Sequence, residues 1–375
     1  MTATKTKRPV KQDEAKRMIA LQDQVNRLTK DLRKALRDGN SNDIVSDVLG
    51  GIVNTPKVIP AWVRKTEKRD KFKATPEVPV TMWSDWHLGE VVTKAEVNGV
   101  NEYNMTVARE RVERLFSVTD KLCTENHTGV YPGIVINLTG DMVSGGLHPE
   151  LVATDELEAI PASIKAFEWI AGGIARFADR FGRVFVPCVP GNHGRTTHRP
   201  EFKKYYRKNY DWLIYQMLIR HFADDGRVQF DVRPSNEVLY RVFNIRYLLL
   251  HGDMLGVGGG DGIIGAIGPI RRGEVKKSGA YSSQGTPFDM MLHGHYHQRL
   301  WLPNSTGAGS IKGYCEYVKN ALNAKPDRPT QPLWFVHEKH GQTAHWDIYV
   351  DKPPKKSHEW ISTLGHHSEA ACVST

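Results

Sequence analysis

Beyond residue 76 the chain alternates short apolar runs with longer amphipathic stretches. Runs at 78–83, 133–138, 184–189, 247–250 and 288–292 read as strands, and the stretches at 107–123, 155–181 and 203–222 between them as helices. This alternation predicts an α/β domain with a layered sheet core. Before residue 76 the pattern is different. Met18, Leu21, Val25, Leu28 and Leu32 are spaced three and four apart, Ala35 continues the seam, and Gly39 followed by Asn40 and Ser41 ends it. Residues 1–39 are therefore expected to hold a basic amphipathic helix. It either packs on its own domain or forms a short coiled coil that joins two copies of the chain. Residues 40–76, with Pro56, Pro60 and a charged run at 64–73, read as a linker. The main domain is expected over 77–352 and a loosely ordered tail over 353–375.

Charge separates the same regions. The formal net charge is +9, and residues 1–75 carry 18 Lys and Arg against 9 Asp and Glu, so the remaining 300 residues sum to zero. A basic arm on a neutral domain is a common footprint of a polyanion partner, although a solubilising tail has the same composition. No apolar run approaches the roughly 18 residues of a membrane span, and the polar N-terminus is unlike a signal peptide. The four cysteines (Cys123, Cys188, Cys315 and Cys372) lie far apart with no CxxC pair. Neither a disulfide framework nor a zinc ribbon is expected, and a reducing cytoplasm is the natural setting.

The five apolar runs share one further property: each is followed within about three residues by a polar cluster of metal-ligand types. In order these are Asp85-Trp86-His87, Gly140-Asp141, Gly191-Asn192-His193, His251-Gly252-Asp253 and Gly294-His295-Tyr296-His297. Ligand sites in α/β proteins assemble at the carboxyl ends of strands, so five such clusters can converge on one crevice. Any one of them alone is an ordinary strand-ending turn. The ordered set is a different matter.

That set resembles the calcineurin-like metallophosphoesterase superfamily over residues 78–300, and in overall motif pattern its DNA-repair exonuclease branch. The resemblance implies a four-layer α/β/β/α sandwich with two divalent metals at one edge. It assigns Asp85, His87 and His297 to the first metal, Asn192, His251 and His295 to the second, and Asp141 to a bridge between them. His193 would face the substrate phosphate without binding metal, as general acid or as stabiliser of developing charge. Mixed imidazole, carboxylate and amide donors suit Mn first, with Fe or Zn as alternatives, better than Mg. Members of the family often place an acidic residue after Gly-Asn-His, whereas this chain has Gly194 and Arg195. Arg195 is thus a candidate phosphate contact, and His148, seven residues after Asp141, a candidate on the substrate side. Surface positions without a role are the alternatives for both.

Two other stretches bear on the substrate. The glycine-rich run at 256–268, followed by Arg271, Arg272, Lys276 and Lys277, reads as a mobile lid with basic residues or as an ordinary long loop. Residues 203–217 interleave basic and aromatic side chains, a nucleic-acid pattern. The preferred reading there is core packing, with Tyr206, Tyr210, Leu213 and Met217 as the buried stripe. Taken together, the expectation is a dinuclear phosphodiester hydrolase, foremost a nuclease acting on DNA. A phosphatase or small-nucleotide phosphodiesterase, and a non-catalytic nucleic-acid-binding scaffold, are the alternatives.

Overall fold

The structure is a computed structural model that describes residues 77–127, 129, 131–255, 267–321 and 325–352. The helix expected in 1–39, the linker, most of the glycine run and the tail lie outside the described residues. In chain order the first elements are β1 (Glu77–Trp83), α1 (Met105–Lys121), β2 (Ile134–Leu138), α2 (Pro149–Thr154), α3 (Ala159–Phe181), β3 (Val184–Cys188) and α4 (Tyr210–His221). Then follow β4 (Val228–Val232), β5 (Glu237–Val242), β6 (Ile245–Leu250), α5 (Ile267–Ser283) and β7 (Met290–His293). The last are β8 (Leu300–Leu302), β9 (Ser305–Gly307), β10 (Thr330–His337) and β11 (Gly341–Tyr349).

Two sheets result, ordered β11-β10-β1-β2-β3-β4 and β5-β6-β7-β9-β8. In the first, β1 to β4 run parallel, β10 runs antiparallel to β1 and β11 antiparallel to β10. In the second, β6, β7 and β9 run parallel between antiparallel edges. The period of two along each strand shows how the sheets stack. Val80 and Met82 of β1, with Trp334 and Val336 of β10, pack against Tyr247 and Leu249 of β6 and Met290 and Leu292 of β7, between the sheets. The alternate residues Trp83, Leu333 and Phe335 face the other way, onto α1 and α3 through Phe116, Ile170 and Phe177. Leu248, Leu250 and Met291 point outward from the second sheet onto Ile270 of α5. The architecture is thus the expected four-layer α/β/β/α sandwich. Among the described residues, no helix is long and apolar enough to cross a membrane.

Local chemistry moves some expected boundaries. Of the stretch at 155–181 only 159–181 is helical, as α3, and the short α2 precedes it. Pro161 has no N–H to donate and is tolerated in the first turn of α3, but not inside a helix begun at 155. The stretch at 203–222 becomes a short 3-10 turn (Tyr205–Lys208) and α4, because the Asn209 side chain accepts the Asp211 N–H and caps the helix. The buried face of α4 is consequently Asp211, Ile214, Tyr215, Met217 and Leu218. Of the expected stripe only Met217 is buried; Tyr206, Tyr210 and Leu213 are partly exposed.

Candidate metal centre

β1, β2 and β3 of one sheet and β6 and β7 of the other end at the same edge, and the five polar clusters follow directly. There the backbone is bent into a conformation L-residues avoid. Asp85 (φ 53°), His87 (47°), Asp141 (53°), His295 (69°) and His297 (54°) all lie in the left-handed region. Such residues cost about 1–3 kcal/mol each and persist where their surroundings hold them. Here the loops hold one another: the Asp85 N–H donates to Gly140 O at 3.1 Å and the His87 N–H to Asp141 O at 3.0 Å. The fully buried carboxylate of Asp211, on α4, accepts the N–H groups of Asp141 (2.9 Å), Met142 (3.0 Å) and Gly191 (2.8 Å). The glycines of the motifs permit the close approach. A Cβ on Gly191 would stand 2.2 Å from Asp141 Oδ1, and one on Gly294 would stand 2.4 Å from Asp85 Oδ2.

The side chains gather into two neighbouring groups. Asp85, His87 and His297 have ligand atoms within 4.8 Å of one another, as do Asp141, His251 and His295. In the first, His87 Nε2 and His297 Nε2 are 3.0 Å apart, and Asp85 Oδ1 lies 3.4 Å from His297 Nε2 and 3.9 Å from His87 Nε2. In the second, His251 Nε2 lies 3.1 Å from Asp141 Oδ2 and 3.0 Å from Asn192 Oδ1. Asp141 Oδ2 is also 3.9 Å from His87 Nε2, so one carboxylate reaches both groups. The second nitrogens are anchored. His251 Nδ1 is 2.8 Å from Thr139 O and His193 Nδ1 is 3.1 Å from Ser144 O. A carbonyl only accepts, so each Nδ1 carries the proton and each Nε2 is left toward the cleft.

Electrostatics point the same way. Burial, then the Lys312 charge, pushes His87 down to about 3, and burial with the nearby His251 pushes His295 down to about 3, leaving both as neutral donors. Burial alone would lower His251 and His297 too. The Asp141 charge instead raises His251 well above its ordinary value, and the Asp85 contact raises His297 to about 9. Burial would raise both carboxylates, but the surrounding imidazoles hold them well below their usual range. Each carboxylate therefore demands positive charge at the point where imidazole nitrogens converge.

A divalent cation fits that demand. Asp141 Oδ2 is buried without a hydrogen-bond partner, a costly state that a coordinated ion removes. Two imidazole nitrogens about 2.1 Å from a shared ion and at right angles stand about 3 Å apart, the His87 to His297 separation seen here. The structure also brings His193 into this cluster: its ring centroid is 4.5 Å from that of His87, and it shares ligand range with His87 and Asp141. Burial lowers its pKa.

The cleft beside these groups has a volume of about 430 Å³. His148 lines it, exposed, with its ring 5.5 Å from His193. Arg195 is not among the lining residues, and its Nε donates to Thr197 O at 3.2 Å. Of the basic residues after the glycine run, Lys277 pairs with Glu237 and Arg271 with Glu274. Three contributors had no motif to announce them. Asp211 organises two ligand loops, as described above. Glu90, buried and 2.7 Å from the buried Lys312 ammonium, holds its other oxygen 3.4 Å from His87 Nδ1. Tyr205 places its hydroxyl 3.1 Å from both Gly191 O and Asp253 Oδ2. Glu90, three residues after His87, is the one of these that spacing alone could have suggested.

No protein-family model and no curated protein matches the chain. Similar solved structures include zinc-bound Vps29 from Entamoeba histolytica, at 11% identity over 72% of this chain and 99% of that one, with a TM-score of 0.28. YfcE, a phosphoesterase from E. coli, is 12% identical over 72% of this chain and 99% of its own, with a TM-score of 0.29. A conserved uncharacterized protein from Streptococcus pneumoniae, described as a predicted phosphoesterase, is 11% identical over 73% and 99%, also with a TM-score of 0.29. At such values it is this chain's own residues that carry the functional reading.

Proposed function

We propose that this chain is a dinuclear-metal-dependent phosphodiester hydrolase that acts on nucleic acid, DNA foremost. The observation that carries the reading is Asp141 Oδ2, buried without a hydrogen-bond partner, 3.1 Å from a nitrogen of one ligand group and 3.9 Å from a nitrogen of the other. Asp85, His87 and His297 would hold one ion, Asn192, His251 and His295 the second, and Asp141 both. Two divalent ions there, Mn foremost with Fe or Zn as alternatives, supply a water of lowered pKa and offset charge on the phosphate during in-line displacement. His193, fixed by Ser144 O, presents Nε2 to the cleft, where it orients the phosphate and exchanges a proton with the departing oxygen. His148 closes the same wall.

The nucleic-acid part rests on charge. The whole positive excess lies in residues 1–75, which would contact a polyanion, and their apolar seam would join two copies of the chain. One observation favours a smaller substrate: Glu90, Glu96, Glu150 and Glu316 line the cleft, with Lys312 as the sole Lys or Arg among the lining residues. A phosphatase or small-nucleotide phosphodiesterase is accordingly the second reading. Incubating the protein and Mn with labelled single- and double-stranded DNA and RNA separates the two. Strand cleavage supports the nuclease, and rapid turnover of a small phosphate ester with every strand left intact replaces it with the second reading.

A further inference from the structure

On the second-metal side of the cleft the chain turns back along residues 195–209, and this segment is fastened to a ligand loop. Tyr205 reaches Gly191 O at 3.1 Å, the Asn209 side-chain amide donates to the same carbonyl at 2.7 Å, and the Thr196 N–H donates to Lys208 O at 2.9 Å. Gly191 directly precedes Asn192. The outer part of the segment is exposed. Phe202 is 86% accessible, and Arg199, Lys203 and Lys204 flank it. Lys208 pairs with Glu201 at 2.9 Å, whereas Arg199, Lys203 and Lys204 make no ion pair among the described residues. Lys204 is held at φ 58°, a strained conformation for a residue with a side chain.

A single exposed phenylalanine is ordinary on a protein surface. Three unpaired cations around it, on a strained turn tied to a metal-ligand loop, are a different combination. Phe202 precedes Tyr205 by three residues, so its backbone lies within about 10 Å of that of Tyr205, on the segment that Tyr205 fastens to the Gly191 loop. Phosphates meet cations while bases stack on rings when a protein holds a single strand. In a duplex the base faces are already stacked on each other and an exposed ring has nothing to cover. The cleft is lined by Glu96, Glu150 and Glu316, and its one Lys or Arg, Lys312, is paired with Glu90, so further cations for a polyanion have to come from outside that lining, as Arg199, Lys203 and Lys204 do.

We infer that residues 199–204 form a single-strand platform beside the metal centre, where a base stacks on Phe202 and neighbouring phosphates are held by Arg199, Lys203 and Lys204. The platform rests on the nucleic-acid reading of that centre. Fluorescence anisotropy with a labelled twelve-residue oligothymidine and with a duplex of the same length, in buffer without added metal, tests it on the full chain. Phe202→Ala should weaken single-strand binding about tenfold, change duplex binding by less than about twofold, and leave the salt slope as it was. Phe202→Trp should restore the affinity. The triple variant Arg199→Gln, Lys203→Gln, Lys204→Gln should lower the salt slope by about 2, at about 0.7 per phosphate contact. Circular dichroism and metal content matched to wild type exclude misfolding. If wild type binds and cuts oligonucleotides while Phe202→Ala and the triple variant bind the single strand as wild type does, the platform is wrong and the nuclease stands. If wild type neither binds nor cuts any oligonucleotide, the nucleic-acid reading itself is overturned and takes the platform with it.

Discussion

A cavity of about 790 Å³ between α1 and residues 326–329 and 350–352, and the cleft of about 430 Å³ beside the proposed metal ligands, are both lined by many charged side chains. In the larger one most of the charges have a partner. Arg328 forks onto Asp351 at 2.7 Å, Lys94 meets Glu102 at 2.9 Å, Lys352 meets Glu110 at 3.2 Å, and Arg111 donates to Ile311 O, Lys312 O and Asn101 Oδ1. In the smaller one Asp141 Oδ2, Glu90 Oε2 and Glu316 Oε1 are buried acceptors without a hydrogen-bond partner. The backbone repeats the contrast: among the described residues, five of the eight non-glycine residues with positive φ belong to the five polar clusters, and none of the eight lines the larger cavity. Volume therefore does not mark the site. Buried ligand atoms left unpaired on strained turns do, since folding tolerates both only where something else is held.

The contrast breaks most visibly if Asp141 is removed. Asp141→Ala takes away the carboxylate common to both ligand groups, and phosphodiester hydrolysis should fall to the uncatalysed background; activity near that of wild type would dissolve the two-group account. His193→Ala should lower kcat by about 10² to 10⁴ while metal content stays as in wild type, because its Nδ1 is committed to Ser144 O and only Nε2 faces the cleft. Substrates with good leaving groups should suffer less. Loss of an ion in that variant would make His193 a ligand instead. Asp211→Asn should cost about 10- to 100-fold in metal affinity, read by competition with a chelator, since three loop N–H groups lose part of their acceptor. An unchanged affinity would show that the loops hold their shape without it. The smallest effect belongs to the larger cavity: Arg328→Gln removes a half-exposed ion pair and should lower stability by less than about 1 kcal/mol, with activity unaltered. A substantial loss of activity there would mean that the cavity serves the reaction after all.

The fold and the ligand groups were readable to different depths. Ligand types placed directly after apolar runs were legible because strand ends in such folds leave few other places for a side chain to go. The five expected strands that carry them are all present within one to two residues at each end. β10 and β11 were not anticipated; they follow the last motif and close the first sheet as an antiparallel pair, an arrangement that depends on pairing with β1 and has no local signal. Asp211 was illegible for a related reason. An aspartate in the first turn of a helix reads as a favourable dipole contact, and only the tertiary fold shows three backbone N–H groups converging on it. Arg195 was suggested by adjacency to Gly-Asn-His alone; in the fold its Nε donates to Thr197 O and it is not among the residues lining the cleft.

The central claim is that Asp85, His87, Asp141, Asn192, His251, His295 and His297 hold two ions, not one and not none. Isothermal titration of the chelator-stripped chain with Mn, followed by elemental analysis of the dialysed product, measures this without reference to any substrate. The account predicts two ions per chain for wild type and one or none for Asp141→Ala; a wild-type chain that takes up a single ion or none would contradict it.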